Sequence, residues 1–244
     1  MNAAPVPVVL VHASRTSPSM WRTQVDALER LGARVAVPTL PGHGVREDEP
    51  FTLDGAVETV RAAVDDVGGR ALVVGLSVGG YVGIEHRARH PEQSAGLMAV
   101  SCSTDPRTPL RAGWEVLARW IESWPDSGAA LNSAVVRATV PADGLPHLEG
   151  DGFALRVMSQ IVEEMARVRP LDSLDAATSP VWIVNGTWDH FRTGERAYLR
   201  AARASGAHVR LVHVREAKHL VNLDRPVAFN RVLLEAWSDA VATP

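Results

Sequence analysis

Residues 71–80 read ALVVGLSVGG. The first six of them form an apolar run that predicts a strand buried on both faces, and the residues after Ser77 predict a helix. Ser77 stands in a Gly-x-Ser-x-Gly pattern, in which Gly75 and Gly79 avoid a collision between side chains that would otherwise pack against each other. The helix would direct its N-terminal N–H groups toward an oxyanion formed at this serine. The segment therefore predicts a nucleophilic Ser77.

The same alternation of strand and helix extends along most of the chain. Short apolar runs predict further strands at residues 6–12, 34–38, 95–101, 181–184 and 208–214. Apolar periodicity predicts helices at residues 19–31, 52–67 and 78–89, one that continues through Arg203, and a closing helix at 227–240. Ser19 and Thr52 are the expected N-caps of the first two, and Leu31 is expected on the apolar stripe of the first. Strands that alternate with helices favour an α/β fold with a doubly wound, mostly parallel sheet.

The central part of the chain breaks this alternation because it contains no β-branched apolar run. Its apolar residues follow helical spacing in two stripes: Trp114, Leu117, Trp120, Ile121 and Trp124, then Leu155, Met158, Ile161, Val162 and Met165. We expect residues 1–103 and 180–244 to form the core domain. Residues 104–179 would form a helical cap (lid), inserted at the carboxyl edge of the sheet after the strand that ends near Ser101.

A serine hydroxyl becomes a good nucleophile when a histidine accepts its proton and an acid orients that histidine. In a doubly wound sheet these partners are expected on loops after later strands, in the order serine, acid, histidine. Asp189 and His219 follow the last two predicted strands and fit this order. Asp105 is a rival for the acid because it follows the strand before them, although an Asp-Pro turn also explains it.

Other polar residues near strand ends have simpler interpretations. His12 ends the first strand and is interpreted as a structural hydrogen-bond partner of the turn that follows. His43 lies in a Pro/Gly turn and is assigned to a loop or to a pocket rim. His190 precedes the last strand, which is the wrong position for the base, and Cys102 is assigned to the core.

Several of these segments together resemble one known family. GLSVGG at 75–80, NGTWDH at 185–190 and AKHLVNLDRPVAFN at 217–230 are similar to the nucleophile, acid and histidine segments of the α/β-hydrolase superfamily. VHAS at 11–14 resembles its oxyanion-hole turn, and PGHG at 41–44 resembles its loop after the second strand. The histidine segment is most similar to the cap-bearing branch of esterases, lactonases and C–C hydrolases.

This resemblance implies a catalytic triad and an oxyanion hole made by the backbone N–H groups of Val78 and of Ala13 or Ser14. The chain departs from the family pattern at Ala13, where glycine is usual, and at Thr39, where aspartate is frequent. Candidate pocket residues are Arg15, Trp114, Trp120, Trp124 and Trp188. Arg15 either binds a substrate carboxylate or is a solvent-exposed arginine, and the cap tryptophans either line an aromatic pocket or pack the cap onto the core.

The composition excludes several classes of protein. A chain of 244 residues with 46% hydrophobic and 22% charged residues is globular and needs no metal or disulfide for stability. The single Cys excludes an intramolecular disulfide and a Cys-based zinc site, and a net charge of −3 gives no basic field for nucleic acid. No targeting signal or membrane-length apolar stretch is visible, so we expect a cytoplasmic protein without a membrane or nucleic-acid partner.

We expect an enzyme of the carboxylesterase type (EC 3.1), a serine hydrolase that needs no cofactor and no metal. Its small-molecule substrate would be a small to mid-sized, largely apolar ester, lactone or thioester, cleaved through an acyl-enzyme. The alternatives are a C–C bond hydrolase, a lyase or a biosynthetic cyclase on the same triad, or a hydrolase-like ligand-binding protein. The sequence leaves open both the identity of the substrate, which depends on cap packing, and the formation of a homodimer.

Overall fold

The structure is a computed structural model that describes residues 5–107 and 111–242. Residues 1–4, 108–110 and 243–244, which the predicted domain ranges include, lie outside the described residues. Within the described part, six strands form one sheet: β1 (Val8–Val11), β2 (Val35–Ala36), β3 (Ala71–Leu76), β4 (Ser94–Val100), β5 (Val181–Gly186) and β6 (Val209–Val214). Their order is β2-β1-β3-β4-β5-β6, and every pairing is parallel.

Helices connect these strands and cover both faces of the sheet. They are α1 (Arg22–Glu29), α2 (Leu53–Val67), α3 (Val78–Arg89), α4 (Arg111–Glu122), α5 (Ala129–Thr139), α6 (Leu145–Glu149), α7 (Met158–Glu164), α8 (Pro170–Asp175), α9 (Glu195–Ala204), α10 (Val221–Asp224) and α11 (Pro226–Ala242). The predicted α/β fold with a parallel sheet is confirmed. None of the helices in the described ranges combines the length and the apolarity that a membrane span requires.

Two buried apolar clusters lie on opposite faces of the sheet. Successive strand residues alternate between them, as the two-residue period of a strand requires: Val9 and Val11 belong to one cluster, and Val8 and Leu10 belong to the other. The first cluster includes residues of α2, α3 and α9, and the second includes residues of α1 and α11. Since both faces are covered, the strands read as continuous apolar runs.

The first predicted helix differs most from its expected bounds. The expected helix at 19–31 is instead α1, preceded by a 3-10 turn at Pro18–Trp21. Ser19 does not cap a helix because its hydroxyl donates to the carbonyl of His147 at 2.7 Å. Leu31, expected on the buried stripe, is 55% exposed because the helix ends before it. The prediction at the start of α2 is confirmed, since Thr52 Oγ1 accepts a hydrogen bond from the Gly55 N–H.

The helical segment α4–α8 follows β4 and precedes β5 in the chain. Its side chains accept hydrogen bonds from the backbone where the connection from β2 meets α2: the Phe51 N–H donates to Gln160 Oε1, and the Leu53 N–H donates to Glu164 Oε2, both at 2.7 Å. Because the ends of parallel strands share one edge, these contacts attach the segment at the carboxyl edge of the sheet, where Ser77 also lies.

Candidate active site

Ser77 occupies the turn between β3 and α3 with backbone angles of φ 57° and ψ −118°. A positive φ is costly for a residue with a side chain, and it marks the turn as a strained, specified feature. A Cβ on Gly75 would overlap the carbonyl of Gly79, and a Cβ on Gly79 would overlap the carbonyl of Val11. The two glycines are therefore required at this turn, as the sequence pattern predicts.

The first turn of α3 supplies N–H groups beside Ser77. The N–H groups of Gly80 and Tyr81 donate to the Ser77 carbonyl at 2.9 and 3.2 Å. The first N–H groups of a helix have no partner within the helix, so Val78 N–H is available to an anion formed at the serine. This geometry suits the predicted role of Val78.

The loop after β1 distinguishes the two other candidates for the oxyanion hole. Ala13 is buried, its N–H donates to Met20 Sδ at 3.4 Å, and its carbonyl accepts from Thr16 Oγ1 at 2.8 Å. Ser14 is partly exposed. Since the Ala13 N–H already has a partner, Ser14 is the better candidate for the second donor.

Two neutral histidines join the loops after β1 and β2. His12 Nε2 accepts from the Leu40 N–H at 3.0 Å, and His43 Nε2 accepts from the Arg15 N–H at 3.2 Å. Each ring therefore carries its proton on Nδ1, which donates to the carbonyl of Ala13 in His12 and of Pro41 in His43. Burial, together with the proximity of His43, lowers the pKa of His12 to about 3. The structural interpretation of His12 fits these contacts.

Asp189 and His219 form a hydrogen-bonded pair on the loops after β5 and β6. His219 Nδ1–H donates to Asp189 Oδ1 at 3.1 Å, and the same oxygen accepts from the Phe191 N–H at 2.9 Å. Burial acts to raise the pKa of Asp189, but the hydrogen bonds and the charge of His219 outweigh it, so the pKa lies below its ordinary value. Asp189 therefore holds His219 with Nε2 facing away from the acid.

Sequence reasoning missed Ser101, which directly follows β4. This residue is fully buried and has a φ of 54°. Its hydroxyl lies beside Asp189 and acts to lower the pKa of that carboxyl, although neither Ser101 Oγ nor Asp189 Oδ2 has a well-aligned hydrogen-bond partner among the described residues. A positive φ on a non-glycine residue is the structural signal here, and no sequence pattern reports it.

The other candidate residues near these strand ends lack the contacts of the Asp189–His219 pair. Asp105 is exposed, and its carboxylate accepts hydrogen bonds from the backbone and the side chain of Arg107, as the Asp-Pro turn interpretation predicts. The side chain of His190 is 75% exposed, and its Nδ1 is 4.0 Å from Asp189 Oδ1, compared with 3.1 Å for His219. Cys102 is fully buried, and burial raises the pKa of its thiol.

Three of the four predicted pocket tryptophans are exposed, and Trp124 is half-buried. Trp114, Trp120 and Trp188 are 59%, 58% and 63% exposed, and the rings of Trp120 and Trp124 form a T-shaped pair with centroids 5.0 Å apart. The alternative in which these rings pack the cap onto the core is wrong for Trp114 and Trp120, because more than half of each side chain contacts water. A pocket role for these residues stays a prediction.

The structure also contains a surface cavity of about 510 Å³, and Ser77 is not among the residues that line it. The lining comes from the 42–48 loop, residues 125–127, residues 153–157 and Gln160. The cavity lies next to the loop of Arg15, since the Arg15 carbonyl accepts a hydrogen bond from the Ala154 N–H at 3.1 Å.

The sequence model of the alpha/beta hydrolase family matches residues 8–232, which is most of the chain. The chain belongs to the alpha/beta hydrolase family. This is an enzyme family, and its members include esterases, lipases and lactonases.

Three known proteins show how similar this chain is to individual hydrolases. A thermostable monoacylglycerol lipase of Bacillus sp. (strain H-257) is 26% identical over 94% of this chain and 89% of its own length. A pimeloyl-[acyl-carrier protein] methyl ester esterase of Aromatoleum aromaticum is 32% identical over 39% of this chain, and the match spans only 37% of that esterase. The enol-lactonase of Burkholderia xenovorans LB400 has the same fold, with a TM-score of 0.74 at 22% identity over 96% of this chain and 92% of the lactonase.

Proposed function

We propose that this alpha/beta hydrolase is a serine esterase that cleaves a small to mid-sized ester, lactone or thioester. The observation that carries the proposal is the hydrogen bond between Asp189 and His219 at the sheet edge where Ser77 occupies a strained turn. Two glycines make that turn possible, and both partners of the serine come from the loops after the last two strands. These are the parts that acyl transfer by a serine needs.

The roles of the residues follow from their hydrogen bonds. Asp189 accepts the Nδ1 proton of His219, so Nε2 is free to take the proton of the Ser77 hydroxyl as Oγ attacks the carbonyl carbon. The oxyanion of the tetrahedral intermediate would accept hydrogen bonds from the N–H groups of Val78 and Ser14. His219 then protonates the leaving group, and a water molecule activated by the same imidazole hydrolyses the acyl-enzyme.

A fluorophosphonate probe tests the nucleophile directly. We expect one covalent adduct on wild type, located at Ser77 by peptide mass spectrometry, and no adduct on Ser77→Ala. Ser123→Ala is the matched control, since Ser123 is exposed in the helical segment and its hydroxyl donates only to the nearby carbonyl of Trp120. Adduct formation that persists in Ser77→Ala would contradict the proposal.

The route of the reaction has a separate test. Rapid quench during turnover of a p-nitrophenyl ester is expected to trap an acyl group on Ser77, because the serine esterase mechanism passes through this intermediate. Turnover of a C–C or non-hydrolytic substrate without a trapped acyl group would favour the lyase or C–C hydrolase alternative. Labelling by the probe without turnover of any ester would favour a ligand-binding protein.

A further inference from the structure

Arg15 is the exception among the arginines that are at least half-buried. Within the described residues five arginine side chains are buried or half-buried: Arg15, Arg46, Arg61, Arg87 and Arg192. Four of them donate to carboxylates or carbonyls, as Arg46 does to Glu49 and as Arg87 does to Leu174. The guanidinium of Arg15 makes no hydrogen bond and no ion pair with any described residue.

This isolation has an electrostatic consequence. Burial lowers the pKa of Arg15, and no neighbouring carboxylate opposes that effect. Removing a charge from water is costly unless a partner of opposite sign compensates it. A half-buried guanidinium that pairs with no described residue is therefore suited to an anion that comes from outside the chain.

The backbone at Arg15 shows that the position of this residue is specified. Its φ is 58°, a conformation that favours glycine or asparagine over a long side chain. Its N–H donates to His43 Nε2, and its carbonyl accepts from the Ala154 N–H, so both ends of the residue are held. Arg15 directly follows Ser14, the candidate oxyanion donor, so its backbone lies in the loop that borders the proposed site.

We propose that Arg15 binds a carboxylate of the substrate and selects esters or lactones that carry one remote from the scissile carbonyl. This inference rests on the proposed function and adds the charge of the substrate to it. A guanidinium can donate two parallel hydrogen bonds to a carboxylate, a geometry that a lysine ammonium does not reproduce. A single arginine neutralises one negative charge, which matches a carboxylate better than a phosphate monoester with nearly two.

Two p-nitrophenyl esters that differ only at the far end of the acyl chain test this proposal. Mono-p-nitrophenyl glutarate ends in a carboxylate, and p-nitrophenyl pentanoate ends in a methyl group. We expect wild type to have the higher kcat/KM with the glutarate ester. Arg15→Met should lower that value by about 10- to 150-fold, the range of a hydrogen bond to a charged group, and leave the pentanoate value within about threefold.

Two further variants separate selectivity from other roles of the loop. Arg15→Lys keeps the charge but not the planar donors, so we expect an intermediate loss with the glutarate ester. Arg22→Met removes an exposed arginine nearby in the chain and should change neither value. Equal losses with both esters in Arg15→Met, or no preference of wild type for the glutarate ester, would overturn the proposal.

If neither ester is turned over, that result counts against the proposed function. The binding of free glutarate then tests the role of Arg15 separately. Glutarate should raise the Tm of wild type and of Arg22→Met, and this rise should be lost in Arg15→Met. An equal rise in wild type and Arg15→Met, or no rise in either, would overturn the role of Arg15.

Discussion

His12 makes the stability of this protein depend on pH in a way that can be measured. The imidazole is fully buried, and its Nε2 accepts the Leu40 N–H, which a protonated ring could not do. Burial and the neighbouring His43, whose ring centroid is 4.8 Å away, lower the pKa of His12 from 6.5 to about 3. The folded protein therefore keeps His12 neutral well below the pH at which the unfolded chain protonates it.

The sign and the size of the effect follow from this difference. Between pH 6.5 and pH 3 the unfolded state binds more protons, so the free energy of unfolding falls as the pH falls. The stabilisation is fully present above pH 6.5. At pH 5, about 1.5 units below the pKa of the unfolded state, the loss from His12 is about 2 kcal/mol.

Urea unfolding of wild type and His12→Gln at pH 7.5 and pH 5.0 isolates this contribution. Other titrating groups act in both proteins, so the difference between the two pH profiles belongs to His12. Wild type should lose about 2 kcal/mol more than His12→Gln over this interval, or about 4–8 °C in Tm. Parallel profiles would refute the reasoning. If His12→Gln does not fold, an NMR titration of wild type decides, since a His12 ring that titrates near pH 6.5 would also refute it.

Three further predictions concern the site and the helical segment. Gly75→Ala places a Cβ on the backbone of the following turn, so we expect it to lower the free energy of unfolding by about 1–3 kcal/mol and to remove most labelling by the fluorophosphonate probe. Gly113→Ala is the control, because its Cβ would meet open space, and it should lower neither Tm nor labelling. Ser101→Gly relieves a positive φ and removes a buried hydroxyl without a well-aligned partner, so Tm should not fall. Because that hydroxyl acts to stabilise the charged form of Asp189, kcat for p-nitrophenyl pentanoate should fall about fivefold with KM unchanged, and a fall in Tm with unchanged kcat would show a purely structural role. Trp120→Ala should change the free energy of unfolding by less than about 1 kcal/mol, whereas Trp21→Ala, at a fully buried position, should lower it by about 3–5 kcal/mol. A series of esters of increasing chain length, measured on the same Trp120 variant, tests its pocket role.

Part of the fold and of the candidate site could be predicted because the determining physics is local. A strand buried on both faces must be apolar at every position, so the runs at β1, β3 and β5 are visible without any structure. The turn at Ser77 needs glycine on both sides because backbone groups approach too closely for a Cβ, and this requirement is written in a five-residue pattern. The order of acid and histidine follows from the topology of a doubly wound sheet.

The remaining features depend on contacts between distant segments. The helical stripe of Trp114 and Trp120 predicts one face of a helix but not whether another element covers it, and most of that face is exposed. Ser19 fits the pattern of a helix cap, yet its hydroxyl bonds a carbonyl of the helical segment 128 residues away. Ala13 and Ser14 differ as candidates for the oxyanion hole because the Met20 sulfur accepts the N–H of Ala13, a contact that the sequence does not show.

The sequence thus determined the sheet, the sharp turn at Ser77 and the loops that carry Asp189 and His219. Each of these rests on steric limits or apolar periodicity within about ten residues of chain. Only the tertiary structure revealed Ser101 beside Asp189 and the guanidinium of Arg15, which pairs with none of the described residues. Whether a polar atom has a partner depends on which segments pack around it, and desolvation then makes that partner, or its absence, energetically significant.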